Sequence, residues 1–110
     1  MGLTTSMHGD VTRVGLDSQL TVGNRQELKA VVQQALDDGA RKLLLDCGQT
    51  GYIDSSGLGA LVTIARRARE AGGAIRLAGL NEDLRSLFEL TKLDTLFEIF
   101  PDSERALAGF

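Results

Sequence analysis

The sequence has no tryptophan, one cysteine, one proline and one histidine in 110 residues. Each scarcity removes a class of function. Cys47 alone cannot close an intramolecular disulfide, and with only His8 beside it cannot build a zinc site. Cys47 reads instead as a small apolar side chain ending a buried strand. Four Phe and one Tyr give no stacking platform for nucleobases. The 12 Lys and Arg are outnumbered by 15 Asp and Glu, so the formal net charge is −3. That balance lacks the basic excess of a nucleic-acid binder. There is no apolar run of membrane length and no basic-plus-apolar leader, which gives the expectation of a cytoplasmic protein with no membrane partner.

What is present is an ordinary globular composition, 43% hydrophobic and 25% charged, at the length of one domain. Residues 1–110 are expected to form that domain, with 1–7 an irregular leader. From His8 to Leu20 the pattern is strand-like, Val11, Arg13 and Gly15 facing away from Thr12, Val14 and Leu16, with a turn possible at Asp17-Ser18. Asn24 offers a cap to a helix whose stripe is Leu28, Val31, Val32, Ala35 and Leu36, stopped by Gly39. Lys42 to Cys47 is apolar on both faces, as a central strand covered by helices tends to be. A loop from Gly48 to Ile53 leads to a second helix reaching about Arg69, with a predicted buried stripe of Leu58, Leu61, Val62, Ala65 and Ala68. Arg66, Arg67 and Glu70 are placed outward, and Gly72-Gly73 stops the helix. Ala74 to Ala78 reads as a strand, Asn81 as the cap of a short helix with Leu84, Leu87 and Phe88 inward, and Leu96 to Phe100 as a last strand. Pro101 breaks that strand before a terminal turn at Ser103 to Ala108. The fold class is therefore α/β, a mixed sheet of about four to five strands packed with helices.

One stretch organises the rest: Tyr52-Ile53-Asp54-Ser55-Ser56-Gly57-Leu58-Gly59. It carries Asp54, Ser55 and Ser56 to the mouth of a helix, where unpartnered amides accept side-chain caps and the peptide dipoles favour an added anion. Gly57 and Gly59 leave the first turn bare, at about 1 kcal/mol each relative to Ala, which suggests close approach by another backbone or a partner protein. Simple capping is the plainest account of Asp-Ser-Ser, and the whole string asks for more.

Catalysis finds little support. A hydrolase elbow needs Gly-x-Ser-x-Gly, whereas Ile53 stands at the first glycine position here, and His8 lies far away in the chain. Gly57-Leu58-Gly59 lacks the third glycine of a dinucleotide fingerprint, no phosphate loop is present, and metal-binding Asp-rich loops are absent. Whether Asp46 and Asp54 meet cannot be read from their spacing. No cofactor and no metal are expected, and no enzyme activity.

Leu44-Leu45-Asp46, then Tyr52 to Gly59, then Gly72-Gly73 before a strand, resembles the STAS-domain anti-sigma factor antagonists from about residue 10 to 108. The resemblance implies a protein–protein switch. The serine after the Asp, here Ser55, would be phosphorylated by an anti-sigma factor that is also a serine kinase, ending the binding that releases a sigma factor. A serine phosphatase would restore it. Asp54, Ser55, Ser56, Gly57, Leu58 and Gly59 would be the partner-binding residues. One segment departs from the family: Ser18-Gln19-Leu20-Thr21 lacks both the Gly and the Asp of the usual Gly-x-Leu-Asp. STAS scaffolds and transporter-associated subunits are the alternative within the same resemblance, and a serine hydrolase is the alternative outside it.

Overall fold

Seven strands and four α-helices are seen in the computed structural model, which describes residues 2–110. A hairpin opens the chain: β1 (Thr4–His8) turns at Gly9-Asp10 and returns as β2 (Val11–Gly15), antiparallel to it. Gly9 takes the turn at φ +65°, a conformation that costs glycine little. The expectation of an irregular leader at 1–7 is therefore corrected, since Thr4–Met7 belong to an edge strand. Most of β1 is exposed on both faces, so it shows no hydrophobic alternation, and the ladder with β2 holds it in place.

β2 continues in parallel to β4 (Lys42–Asp46), β4 to β6 (Ala74–Ala78), and β6 to β7 (Glu98–Phe100), giving the order β1-β2-β4-β6-β7. This is the expected mixed sheet. On one face Val14, Leu43, Leu45, Ile75 and Leu77 meet α1 (Arg25–Asp37), α2 (Ser55–Glu70) and α3 (Glu82–Leu90). On the other, Val11, Leu44 and Ala78 are covered by Ala106 of α4 (Ser103–Leu107). Leu43, Leu44 and Leu45 are fully buried because helices close both sides of β4. Cys47, also fully buried, is the small interior side chain that the sequence suggested. Burial and then the Asp46 charge push its thiol up to about 12.

Polar ties join the apolar contacts that hold α4 to its face of the sheet. Arg76 donates to the carbonyls of Ala106 and Ala108 at 2.8 and 3.3 Å, and lies over the rings of Phe100 and Phe110. Ser103 Oγ donates to Asp46 at 2.6 Å, and Arg13 pairs with the same carboxylate.

Two corrections concern the middle of the chain. The run expected from His8 to Leu20 is broken: after β2, Gln19–Leu20 form a separate short strand, β3, parallel to β5 (Tyr52–Ile53) at the end of the expected loop. Hydrogen bonds extend this small ladder, from Thr50 Oγ1 to the Asp17 carbonyl, Gly51 N to Ser18, and Asp54 N to Leu20. In α2 the buried stripe is Gly57, Ala60, Leu61, Ile64, Ala65 and Ala68. Val62 is 37% exposed. It sits about 100° around the helix from Leu61, just past the edge of the buried arc.

The glycines of α2 have different reasons to exist. A Cβ on Gly57 would overlap the Leu20 carbonyl oxygen and lie 2.9 Å from Ile53 Cγ2, whereas one on Gly59 would meet open space. Gly57→Ala is therefore expected to destabilise by about 1–3 kcal/mol, as overpacking does. Gly59→Ala should stabilise by up to about 1 kcal/mol through helix propensity. Urea unfolding of the two variants checks the opposite signs.

The Asp46 carboxyl lies below its ordinary range. Burial pushes it up, but bonds from the Ser103 hydroxyl, the Gly48 amide and Arg13 more than offset this. A carboxylate depressed by folding stabilises above its unfolded pKa and loses that contribution as pH falls through the folded value. Asp46→Asn should be less stable than the parent at neutral pH. Its stability should also fall less steeply below about pH 4, as measured by denaturant titration across acidic pH.

Candidate functional site

The candidate site lies beyond the C-terminal end of the central strand β4, because the chain leaves Asp46 there and continues through β5 into α2. Asp54 is the N-cap of α2 with extended backbone. Its Oδ1 accepts from the Gly57 amide at 2.7 Å, and its Oδ2 accepts from the Val22 amide at 3.2 Å. One carboxylate thus caps the helix and holds the β3–α1 connection beside it. Asn24, expected as the cap of α1, occupies that position but turns its side chain upstream. It accepts from Thr21 N at 2.9 Å and donates to the Gln19 carbonyl at 2.8 Å, which stiffens the same connection.

The six predicted partner-binding residues divide by surroundings. Ser55, the first residue of α2, is exposed, and its hydroxyl makes no hydrogen bond to any described residue. Ser56 and Asp54 are half-buried, and Leu58, also half-buried, packs against the main core. Gly57 is buried against β3, so its bareness serves an internal contact, whereas Gly59 is exposed with free space over it. The amides of Ser55 and Ser56 find no acceptor among the described residues. A helix mouth with free amides, its dipole directed outward, favours negative charge at this point.

Sequence reasoning missed two neighbours. Tyr52 is 57% exposed and Val22 64%. Strand alternation could have found Tyr52, since Ile53 next to it points inward. Val22 had no local signal, because the long-range bond to Asp54 brings it here.

The other polar groups lie apart from the serine turn. Asp46 is engaged by Arg13 and Ser103 rather than by Asp54. His8 stands beside the hairpin turn, at the opposite edge of the parallel strands, with its Nε2 3.2 Å from Ser6 Oγ. Ser55 therefore has no histidine beside it to serve as the base that a hydrolase would need. The largest concavity, about 830 Å³, is also at that far edge, lined by residues including Met7, Val31, Ala35 and Arg41. Ser55 is not among the residues lining it. Among the described residues no helix is long and apolar enough to cross a membrane, and no group of three metal-ligating side chains occurs.

Comparison with known proteins agrees with this geometry. The STAS domain family model matches residues 3–106. A candidate anti-sigma factor antagonist of Bordetella bronchiseptica, BtrV, is 30% identical over 95 residues, 86% of this chain and 82% of the relative. The anti-sigma-B factor antagonist of Bacillus subtilis is 31% identical over 80 residues, 73% of this chain and 69% of that one. The crystal structure of a candidate anti-sigma factor antagonist from Thermotoga maritima matches with a TM-score of 0.88 at 26% identity, covering 96% of this chain and 91% of the other. With a STAS match across nearly the whole sequence, a relative 30% identical over most of both chains and a solved structure of the same fold, this chain belongs to the STAS-domain family of anti-sigma factor antagonists.

Proposed function

We propose that the chain is a phosphorylation-controlled switch: unmodified, it binds an anti-sigma factor that is also a serine kinase and so frees a sigma factor. The kinase transfers the γ-phosphoryl group of ATP to Ser55 Oγ, which loses its proton, and ADP leaves. The phosphorylated form no longer binds. A serine phosphatase hydrolyses the phosphoester and restores the hydroxyl.

The observation that carries this reading is the state of Ser55, exposed and unbonded at the start of a 16-residue helix. A kinase can reach that hydroxyl without opening the domain. The phosphate adds about −1.5 to −2 charges and three acceptor oxygens, and the free amides of Ser55 and Ser56 with the helix dipole can receive them. The cost therefore falls on a partner docked over the turn, which meets a dianion where it had packed against a hydroxyl and the bare Gly59.

Incubation with the partner kinase, Mg²⁺ and ATP is expected to add one phosphate, on Ser55 and not on half-buried Ser56. Peptide mass spectrometry locates it. In titration calorimetry Ser55→Ala should bind the kinase about as well as the parent, and Ser55→Asp more weakly. Label on Ser56 alone, or undiminished binding by the phosphorylated form, would defeat the proposal.

The double role of Asp54 generates another expectation. Asp54→Ala removes the bonds to Gly57 and Val22 and should cost about 0.5–2 kcal/mol, the usual range for a cap. Phosphorylation of Ser55 should slow as well, because the turn that presents the hydroxyl loosens. Urea unfolding and initial rates of labelling measure the two effects separately.

A further inference from the structure

We infer that the docking surface continues from Ser55 down the outer face of α2 to Arg66 and Arg69, and that it fits a partner presenting an apolar contact followed by a cluster of carboxylates. This rests on the Ser55 reading and extends it to the chemistry of the partner. Ser55, Gly59, Val62 and Arg66 are spaced i, i+4, i+7 and i+11, and all four are exposed. They form one stripe about 16 Å long at 1.5 Å per residue, with Arg69 on the next turn.

The upper end of the stripe is apolar. Among the described residues five large hydrophobic side chains are exposed; Val62 lies on the stripe itself, and Val22 and Tyr52 flank the Asp54 cap where the stripe begins. Val62 is exposed on the same helix face as Gly59, over which a side chain would meet open space.

The lower end is basic. The chain as a whole carries a net charge of −3, yet the last turns of α2 hold Arg66, Arg67 and Arg69 against Glu70 alone. Arg13, Arg76 and Arg105 are in ion pairs, and Arg41 donates to backbone carbonyls. Arg66 and Arg69 have no such partner among the described residues and are exposed. The helix dipole accounts for cations near a C-terminus, but it requires neither their alignment with Ser55 nor the exposed Val62 between. A basic end on an acidic domain selects an acidic surface and repels a basic one, which fixes the direction in which the partner lies along the helix.

The test uses the full chain and the anti-sigma factor kinase that phosphorylates it, with Kd measured by calorimetry at about 50 and about 500 mM salt. The double variant Arg66→Glu, Arg69→Glu should bind about tenfold or more weakly at low salt, with the difference shrinking at high salt. Arg85→Glu, an exposed reversal on α3, should stay within about twofold of the parent. In the kinase assay the double variant should raise KM for the chain while leaving turnover at saturation near the parent value, because the stripe docks and takes no part in phosphoryl transfer. Should Glu beside the helix C-terminus impair folding, judged by circular dichroism, the Arg66→Gln, Arg69→Gln pair gives the same reading with a loss of about threefold. A folded double variant that binds within twofold of the parent at low salt overturns the stripe and leaves Ser55 in place. Failure of the parent itself to acquire phosphate on Ser55 overturns the reading beneath it.

Discussion

The Asp54 carboxylate joins two parts of the chain that are distant in sequence, and the shape of the serine turn depends on that junction. One oxygen closes the first turn of α2 on the Gly57 amide, and the other holds the Val22 amide. Beneath them the Leu20 carbonyl accepts from Asp54 N and sits where a side chain on Gly57 would have to be. The direction in which α2 leaves the sheet, and the direction in which Ser55 points, follow from these contacts. Burial of Leu20 and Ile53 in the main core keeps the small ladder from sliding.

This arrangement also explains why a departure from the family pattern at residues 18–21 is compatible with the same fold. The contacts made there toward β5 and α2 use backbone atoms: the carbonyls of Ser18 and Leu20 accept, and the Val22 amide donates. The departing positions are Ser18 and Thr21, whose side chains can differ while the backbone ladder and the buried Leu20 hold the register. Val22, exposed on that segment, marks where sequence differences would be felt by a partner rather than by the domain.

Much of this was legible in the sequence, and the failures have physical causes. β4, β6 and the helices announced themselves through periodicity, since each buries a face against a neighbour and the burial dictates the spacing. β1 was missed because an edge strand exposed on both sides has no such requirement. β5 was missed because two residues are too few to show a period. At the site, the cap and the serine could be read locally. The division of labour between Gly57 and Gly59 could not, because it depends on a carbonyl at residue 20. The stripe of α2 was misjudged at Val62 for a related reason: an apolar residue one step beyond the buried arc looks the same in sequence whether the core or a partner covers it.

The span of the Asp54–Val22 bond, 32 residues, has a further consequence for recognition. A short peptide carrying residues 52–59 contains every atom of the motif but lacks the strand on which its first helical turn rests. A chain still emerging from synthesis, or one that has lost its sheet, lacks it too. On the function proposed above, an enzyme that recognises the turn by its shape would in the same act test whether the segment around Val22 is in place beneath it.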